Sequence, residues 1–154
     1  MNKLDYLTLD SVVPAEFVPL LNKASVRQHL IEHPLFDDAS VSVWLKAKQQ
    51  VDATPGCKVR AIRVDGAWAG WCGIQSEQGR YEIAVILDNQ YWGLGRQVFT
   101  EVMGWAKGFG HQTVYIHFLH TRREYRFLSR MARQVTTSEL MGNRFTTYEI
   151  SVGD

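Results

Sequence analysis

A chain of 154 residues with 17 Lys and Arg against 16 Asp and Glu has a net charge of +1, which excludes the basic footprint of a duplex nucleic-acid binder or of a protein held by charge on an anionic membrane. With 45% hydrophobic and 12% aromatic residues, the material suffices for a core, and the length suits one domain over residues 1–154. The chain has no apolar run near the roughly 20 residues of a membrane helix, no leader-like segment in MNKLDYLTLD, and no metal-ligand pattern around Cys57 and Cys72, so it reads as a cytoplasmic protein with two buried, reduced thiols and no metal.

In chain order, Leu4–Leu9 alternates as LDYLTL and predicts a first strand. Pro14–Ile31 and Asp37–Val51 predict two helical stretches with Pro34 between them, the second capped by Asp37 or Asp38. Pro55-Gly56 is a turn, Lys58–Val64 a strand, Asp65-Gly66 a tight hairpin turn, and Trp68–Gln75 the strand that pairs back. Gly79 marks another turn before a fourth strand, Tyr81–Leu87, which completes an antiparallel meander. Leu94, Val98, Val102, Trp105 and Phe109 then fall at helical spacing, with Phe99 and Ala106 beside them, while Arg96, Gln97, Thr100, Glu101 and Lys107 face away. Gly110 is placed to end that helix. Thr113–Leu119 is apolar on both faces except at His117 and predicts a central fifth strand. Thr121–Glu124 has the form of a capping box, opening a helix to about Ala132. Gln134–Glu139 and Arg144–Val152 close the chain as a hairpin. The sum is an α/β (α+β) fold with a mixed, mostly antiparallel sheet of seven strands and helices on both faces.

The junction of the fourth strand and the following helix carries Gly93-Leu94-Gly95. A P-loop needs Lys-Ser/Thr after its last glycine, and Arg96-Gln97 stands there. A dinucleotide fingerprint needs a third glycine at Val98 and an acid after the next strand, where His120 stands. There remain a helix N-terminus that receives a pyrophosphate and a tight turn with no ligand. Wider context favours the former. Gln90-Tyr91-Trp92-Gly93-Leu94-Gly95 fits Q/R-x-x-G-x-G/A, and YEIAVILDNQYWGLG extends the match on one side. In these motifs and in its element order the chain resembles the GNAT N-acetyltransferase family, and its EI…LD…YWG segment is similar to the branch that includes ribosomal-protein N-terminal acetyltransferases.

The resemblance implies the acyl-CoA N-acyltransferase fold, acetyl-CoA as co-substrate without a metal, and a fourth and fifth strand that splay apart around it. Backbone groups of Ile83, Ala84 and Val85 would pair with the pantetheine amides, and amides from Tyr91 through Trp92, Gly93, Leu94 and Gly95 to Arg96 would hold the pyrophosphate. Amine acetylation needs a proton acceptor. Glu82 is the first candidate, as a buried carboxylate with a raised pKa; a hydrogen bond to a neighbouring strand is its plain alternative. His117 is the second candidate, with a satisfied core histidine as the alternative. The chain departs from the family after the fifth strand. The family's asparagine is replaced by His120 or Thr121, and its tyrosine position falls on Phe127 or Leu128, with Tyr125 turned away. The basic run His120–Arg133 is either a solvated face or a contact for the CoA 3′-phosphate or an anionic substrate.

Trp44, Phe36, His33, Trp71 and Tyr148 are the candidates to line the acceptor side, with a place in the core as the plainer reading of aromatics there. The implied activity is acetyl transfer to a primary amine, of a peptide or a small molecule, by direct attack and without a cysteine intermediate. The other reading is an acyl-CoA-binding module of little activity that works through a protein partner. Membrane and nucleic acid are not expected partners, and a homodimer is one assembly the resemblance allows.

Overall fold

The computed structural model describes residues 3–27, 34–77, 79–119, 126–140 and 143–153. Seven strands form one sheet in the order β1-β2-β3-β4-β5-β7-β6. They are β1 (Leu4–Leu7), β2 (Lys58–Val64), β3 (Ala67–Glu77), β4 (Arg80–Leu87), β5 (Thr113–Leu119), β6 (Ala132–Leu140) and β7 (Asn143–Ser151). Helices α1 (Pro14–Leu21), α2 (Ala24–Arg27) and α3 (Asp38–Asp52) precede β2, α4 (Gly95–Phe109) joins β4 to β5, and α5 (Arg126–Met131) precedes β6. Every strand pairing is antiparallel except β4 with β5. No helix among the described residues is long and apolar enough to cross a membrane.

Period-two alternation divides the apolar side chains between two faces. Val59, Ala61, Trp71 and Ile86 pack under Phe17, Leu20, Leu21, Val26, Val41 and Leu45 of α1–α3. Cys72, Ile74, Ile83 and Leu87 pack against Val98, Phe99, Val102 and Ala106 of α4, with Leu128 of α5 on the same side. The buried stripe of α4 ends at Ala106; Phe109, expected to be inward, is 45% exposed in the last turn before the left-handed Gly110 (φ 85°). Asp65 and Gly66 both take positive φ, 51° and 85°, as the tight hairpin requires. Asp65 also accepts the Lys3 amide at 2.7 Å, which ties the start of β1 to that turn. At the centre of β3 the backbone runs so close to its neighbours that a Cβ on Gly70 would fall 1.9 Å from the Ile86 carbonyl oxygen, and one on Gly73 2.2 Å from that of Lys58.

Two of the predicted elements change, and the cap of a third is decided between its two candidates. Leu9, read as the end of the first strand, begins a 3-10 turn and is buried under α1–α3. Asp37 is the cap of α3: its carboxylate accepts the Ser40 amide at 2.8 Å, and Ser40 Oγ accepts the Asp37 amide at 2.9 Å. The stretch predicted as one helix over Pro14–Ile31 breaks after Leu21, and its residues 28–31 lie outside the described residues. The break is held by side chains: the Asn22 amide group exchanges two bonds with the Phe36 backbone, at 2.9 and 2.7 Å. Lys23 then reaches Asp88 at the end of β4, at 2.5 Å, and Ser25 donates to the other carboxylate oxygen at 2.9 Å. Asp88 is only 3% exposed. Burial pushes its carboxyl up, but the bonds from Lys23 and Ser25 together outweigh that and hold it below the ordinary carboxylate range.

Lys23→Met strands a buried carboxylate with Ser25 alone among its two strong donors, and should cost about 1–3 kcal/mol in urea unfolding at neutral pH. Since the folded-state pKa of Asp88 is depressed, its contribution is complete above the unfolded carboxylate value and fades as pH falls through the folded one. The wild-type advantage over Lys23→Met should therefore shrink in acid, and an advantage constant from pH 7 to pH 3 would contradict the assignment.

Candidate functional site

Strands β4 and β5 touch and then part. Their parallel pairing is registered at a single pair, Glu82 with Tyr115, whereas β3 holds β4 from Glu77–Arg80 to Gly70–Leu87 and β7 holds β5 along its full length. Beyond Glu82 the two strands line a cavity of about 210 Å³, with Glu82 to Ile86 on one wall and Ile116, His117 and Phe118 on the other. Trp44 and Lys48 of α3 and Trp71 and Gln75 of β3 complete it. Within this wedge Ala84 and Val85 are both half-buried, although neighbours in a covered strand would alternate.

Glu82 and His117, predicted as rival proton acceptors, stand together. His117 Nε2 lies 3.1 Å from Glu82 Oε1, and its Nδ1 lies 2.6 Å from Thr147 Oγ1 on β7. An ionised carboxylate only accepts, so Nε2 carries the hydrogen toward Glu82, and in the neutral ring the Thr147 hydroxyl donates to Nδ1. Both ring nitrogens are engaged, while Glu82 keeps a second oxygen. The carboxylate is half-buried, at 23% exposure, not enclosed as expected, because the wedge opens beside it.

Lys48 is the residue that sequence reasoning missed. It lies one helical turn from Trp44, on the shoulder of the buried Val41–Leu45 stripe, and a lysine there reads as solvated. Its ammonium group instead sits 4.5 Å from the Trp71 ring centroid and 5.6 Å from that of Trp44, and donates to Gln75 Oε1 at 2.5 Å. Burial lowers its pKa to about 8, against a smaller upward pull from Glu77. Trp44 and Trp71, predicted to line the acceptor side, do line the cavity. Tyr148 does not: it is buried to 1% and packs edge-on against Phe118 as core. Phe36 packs on the α1–α3 core.

The glycine junction differs from an open loop. Asn89–Leu94 is a 3-10 turn and α4 starts at Gly95. The Tyr91 amide already donates to the Asp88 carbonyl at 2.8 Å, and that of Gly95 to the Trp92 carbonyl. Not every amide from Tyr91 to Arg96 is therefore available to a ligand, because the 3-10 run closes its own i to i+3 bonds. The Trp92 indole N–H donates to the Leu87 carbonyl at 2.9 Å and pins the turn to the end of β4. Neither glycine takes a positive φ. A Cβ on Gly93 would meet nothing within 4 Å, and one on Gly95 only Leu87 Cδ1 at 4.0 Å. Conformation and packing leave both glycines unexplained, and a Cβ would fill space that a closely approaching ligand needs. His120, Thr121, Tyr125 and His33 lie outside the described residues, as does the side chain of Phe127 in α5.

No family model matches the chain, and no curated protein matches it in sequence. Solved structures match it along its whole length. An N-acetyltransferase from Staphylococcus aureus Mu50 shares 12% identity, with 99% of each chain covered and a TM-score of 0.73. An acetyltransferase of the GNAT family from Streptococcus pneumoniae shares 14%, over 97% of this chain and 99% of that one, with a TM-score of 0.66. A proposed acetyltransferase from Salmonella typhimurium, solved with its cofactor acetyl-CoA, shares 15%, over 99% and 95%, with a TM-score of 0.66.

The chain has the GNAT acetyltransferase fold. Its parted β4 and β5 are the part of the GNAT fold in which Glu82, His117 and Lys48 are gathered. The two thiols of this GNAT fold stand apart from that chemistry. Cys57 and Cys72 are buried and free, and burial pushes both pKa values up, that of Cys72 very far.

The Glu82–His117–Thr147 chain makes a spectroscopic prediction. In nitrogen-detected NMR of the neutral imidazole, the His117 ring should be the Nε2–H tautomer, and Thr147→Val should shift Nδ1 by removing its donor. A dominant Nδ1–H tautomer in the wild type would refute the hydrogen-bond order.

Proposed function

We propose that this protein is a cytoplasmic acetyl-CoA-dependent N-acetyltransferase, one unit over residues 1–154, that transfers an acetyl group to a primary amine by direct attack. The observation that carries the reading is the wedge beyond Glu82, where a carboxylate with an oriented partner lies beside two strands free to receive an extended ligand. The acetyltransferase neighbours of the same fold support it. The likeness of YEIAVILDNQYWGLG to the ribosomal-protein branch concerns the cofactor side and leaves the acceptor open.

The residues present fit acetyl-CoA. Ile83, Ala84 and Val85 offer backbone groups on the opened side of β4, and Gly93 and Gly95 leave room at the start of α4, whose positive dipole end suits a pyrophosphate. Arg96 in the first turn adds a positive charge there. When bound, acetyl-CoA supplies an activated acetyl thioester, which passes its acetyl group to an amine nitrogen with release of the CoA thiol. Glu82 takes the proton that the amine loses, directly or through water. His117 orients the carboxylate through Nε2 and is itself oriented by Thr147. Assigning Glu82 as the acceptor, rather than His117, follows from the engagement of both imidazole nitrogens.

Gly95→Ala separates ligand from fold. An added methyl at the first helical position has room and restrains the unfolded chain, so stability should hold or rise by about 0.4–1 kcal/mol. Acetyl-CoA affinity, measured by calorimetry, should nevertheless fall, and in Gly95→Asp it should be lost from a folded protein. Undiminished affinity in folded Gly95→Asp would remove the proposed cofactor site.

Glu82→Gln should lower turnover of a responsive amine by about 10²-fold or more, with little change in acetyl-CoA affinity. If His117→Ala abolishes turnover and Glu82→Gln does not, the roles exchange. Acetyl-CoA binding with no turnover across a broad panel of amines and peptides would favour the binding-module reading.

A further inference from the structure

We propose that Lys48, seated against Trp71, forms a subsite for a carboxylate carried by the acceptor, so that the acceptor is a compact zwitterion: a free amino acid or a molecule with an amine and a carboxylate a few bonds apart. The inference rests on the reading of this wedge as an amine-acetylating site, and names what the amine is attached to.

The cavity is small. At about 210 Å³ it lies below the roughly 300–1,000 Å³ of sites for drug-sized ligands. Its polar groups divide into two ends. Glu82, backed by His117, is one; Lys48, held by Gln75 against Trp71, is the other. The β3–β4 register places Gln75, the partner of Lys48, directly opposite Glu82, so the two ends belong to neighbouring strands of one face, whose spacing is roughly 5 Å. A molecule with an amine and a carboxylate a few bonds apart reaches across such a spacing. The ammonium group of Lys48 gives one hydrogen bond to Gln75 and has two further protons to donate.

Trp71 is the floor of this end: it is 3% exposed, and its ring centroid lies 4.5 Å from the Lys48 ammonium group. The aromatic faces argue in the same direction. Trp44 and Trp71 could attract a cationic ligand, but Lys48 already occupies that position. A second cation there would be repelled, and a polycationic acceptor would find Glu82 as the only carboxylate lining the cavity among the described residues. The depressed pKa of Lys48 agrees: an ammonium group desolvated over two indoles gains from an added anion.

The test is direct binding, which does not depend on turnover. Free amino acids and the amines formed by their decarboxylation are titrated into the protein by calorimetry, with and without saturating CoA, which carries no acetyl group to transfer. The wild type should bind at least one amino acid at least tenfold more tightly than its decarboxylated amine. Lys48→Met should erase that preference by weakening the amino acid alone, and Lys48→Arg should restore part of it; cooperative thermal unfolding checks that each variant is folded. Should Lys48→Met fail that check, Lys48→Arg and Gln75→Leu carry the comparison, each expected to narrow the preference. Amino-acid binding that depends on Lys48, without acetylation when acetyl-CoA is supplied, would uphold the subsite and refute the transferase reading. Equal or tighter binding of decarboxylated amines or polyamines, or a preference unaltered in folded Lys48 variants, would overturn the subsite even if the protein acetylates amines.

Discussion

The contact on which the molecule turns is the single parallel pair between Glu82 and Tyr115. Each of its strands is secured on the other side, β4 by eight registered pairs to β3 and β5 by seven to β7. Neither can swing across to zip the wedge shut without breaking an antiparallel ladder. Backbone groups facing a gap in a sheet need partners. A ligand with amides along an extended chain meets that need in a way that a globular solute does not. The opening is therefore a property of the sheet as a whole, maintained by pairings far from the cavity.

The two faces of the sheet have different tasks. The face under α4 is apolar at nearly every inward position and behaves as core. The face under α3 is interrupted where Gln75, Glu82 and His117 meet Trp44, Lys48 and Trp71. Strand parity is what collects them, since residues 71 and 75 of β3 and 82, 84 and 86 of β4 share one face in the observed register. Gly70 and Gly73 fix that register by bringing β3 within reach of neighbouring carbonyls that no Cβ would tolerate. The polar groups of the cavity are thus aligned by backbone spacing and not by contacts among themselves alone.

Much of this was legible in the sequence. The Asp65-Gly66 turn, the strand-like runs of Lys58–Val64 and Tyr81–Leu87 and the left-handed Gly110 are local signals, and each lies where local rules put it. Glu82 and His117 were visible as polar residues in apolar strands, but their union was not, because it depends on a parallel register between segments separated by a whole helix. Lys48 escaped for a related reason. Its environment is made by Trp71 and Gln75, residues of another element, and nothing within α3 announces a desolvated lysine. Tyr148 took the plainer of its two readings, as core, a choice left open in the sequence because aromatic composition does not say which side of a strand is core. The bonds that the Tyr91 and Gly95 amides make within the 3-10 turn were not legible, because glycine spacing leaves that choice of hydrogen bonds open.

The cluster around Asp88 has a further consequence. Lys23 and Ser25 close on its carboxylate, and Ser25 Oγ also accepts the Asn89 amide at 3.2 Å, so the segment after α1 and the turn leading into α4 share one anchor. The helices covering one side of the sheet and the helix start on the other are therefore held by one buried carboxylate. Loss of that carboxylate would release both segments at once, so a single side chain sets the order of two elements on opposite faces of the sheet.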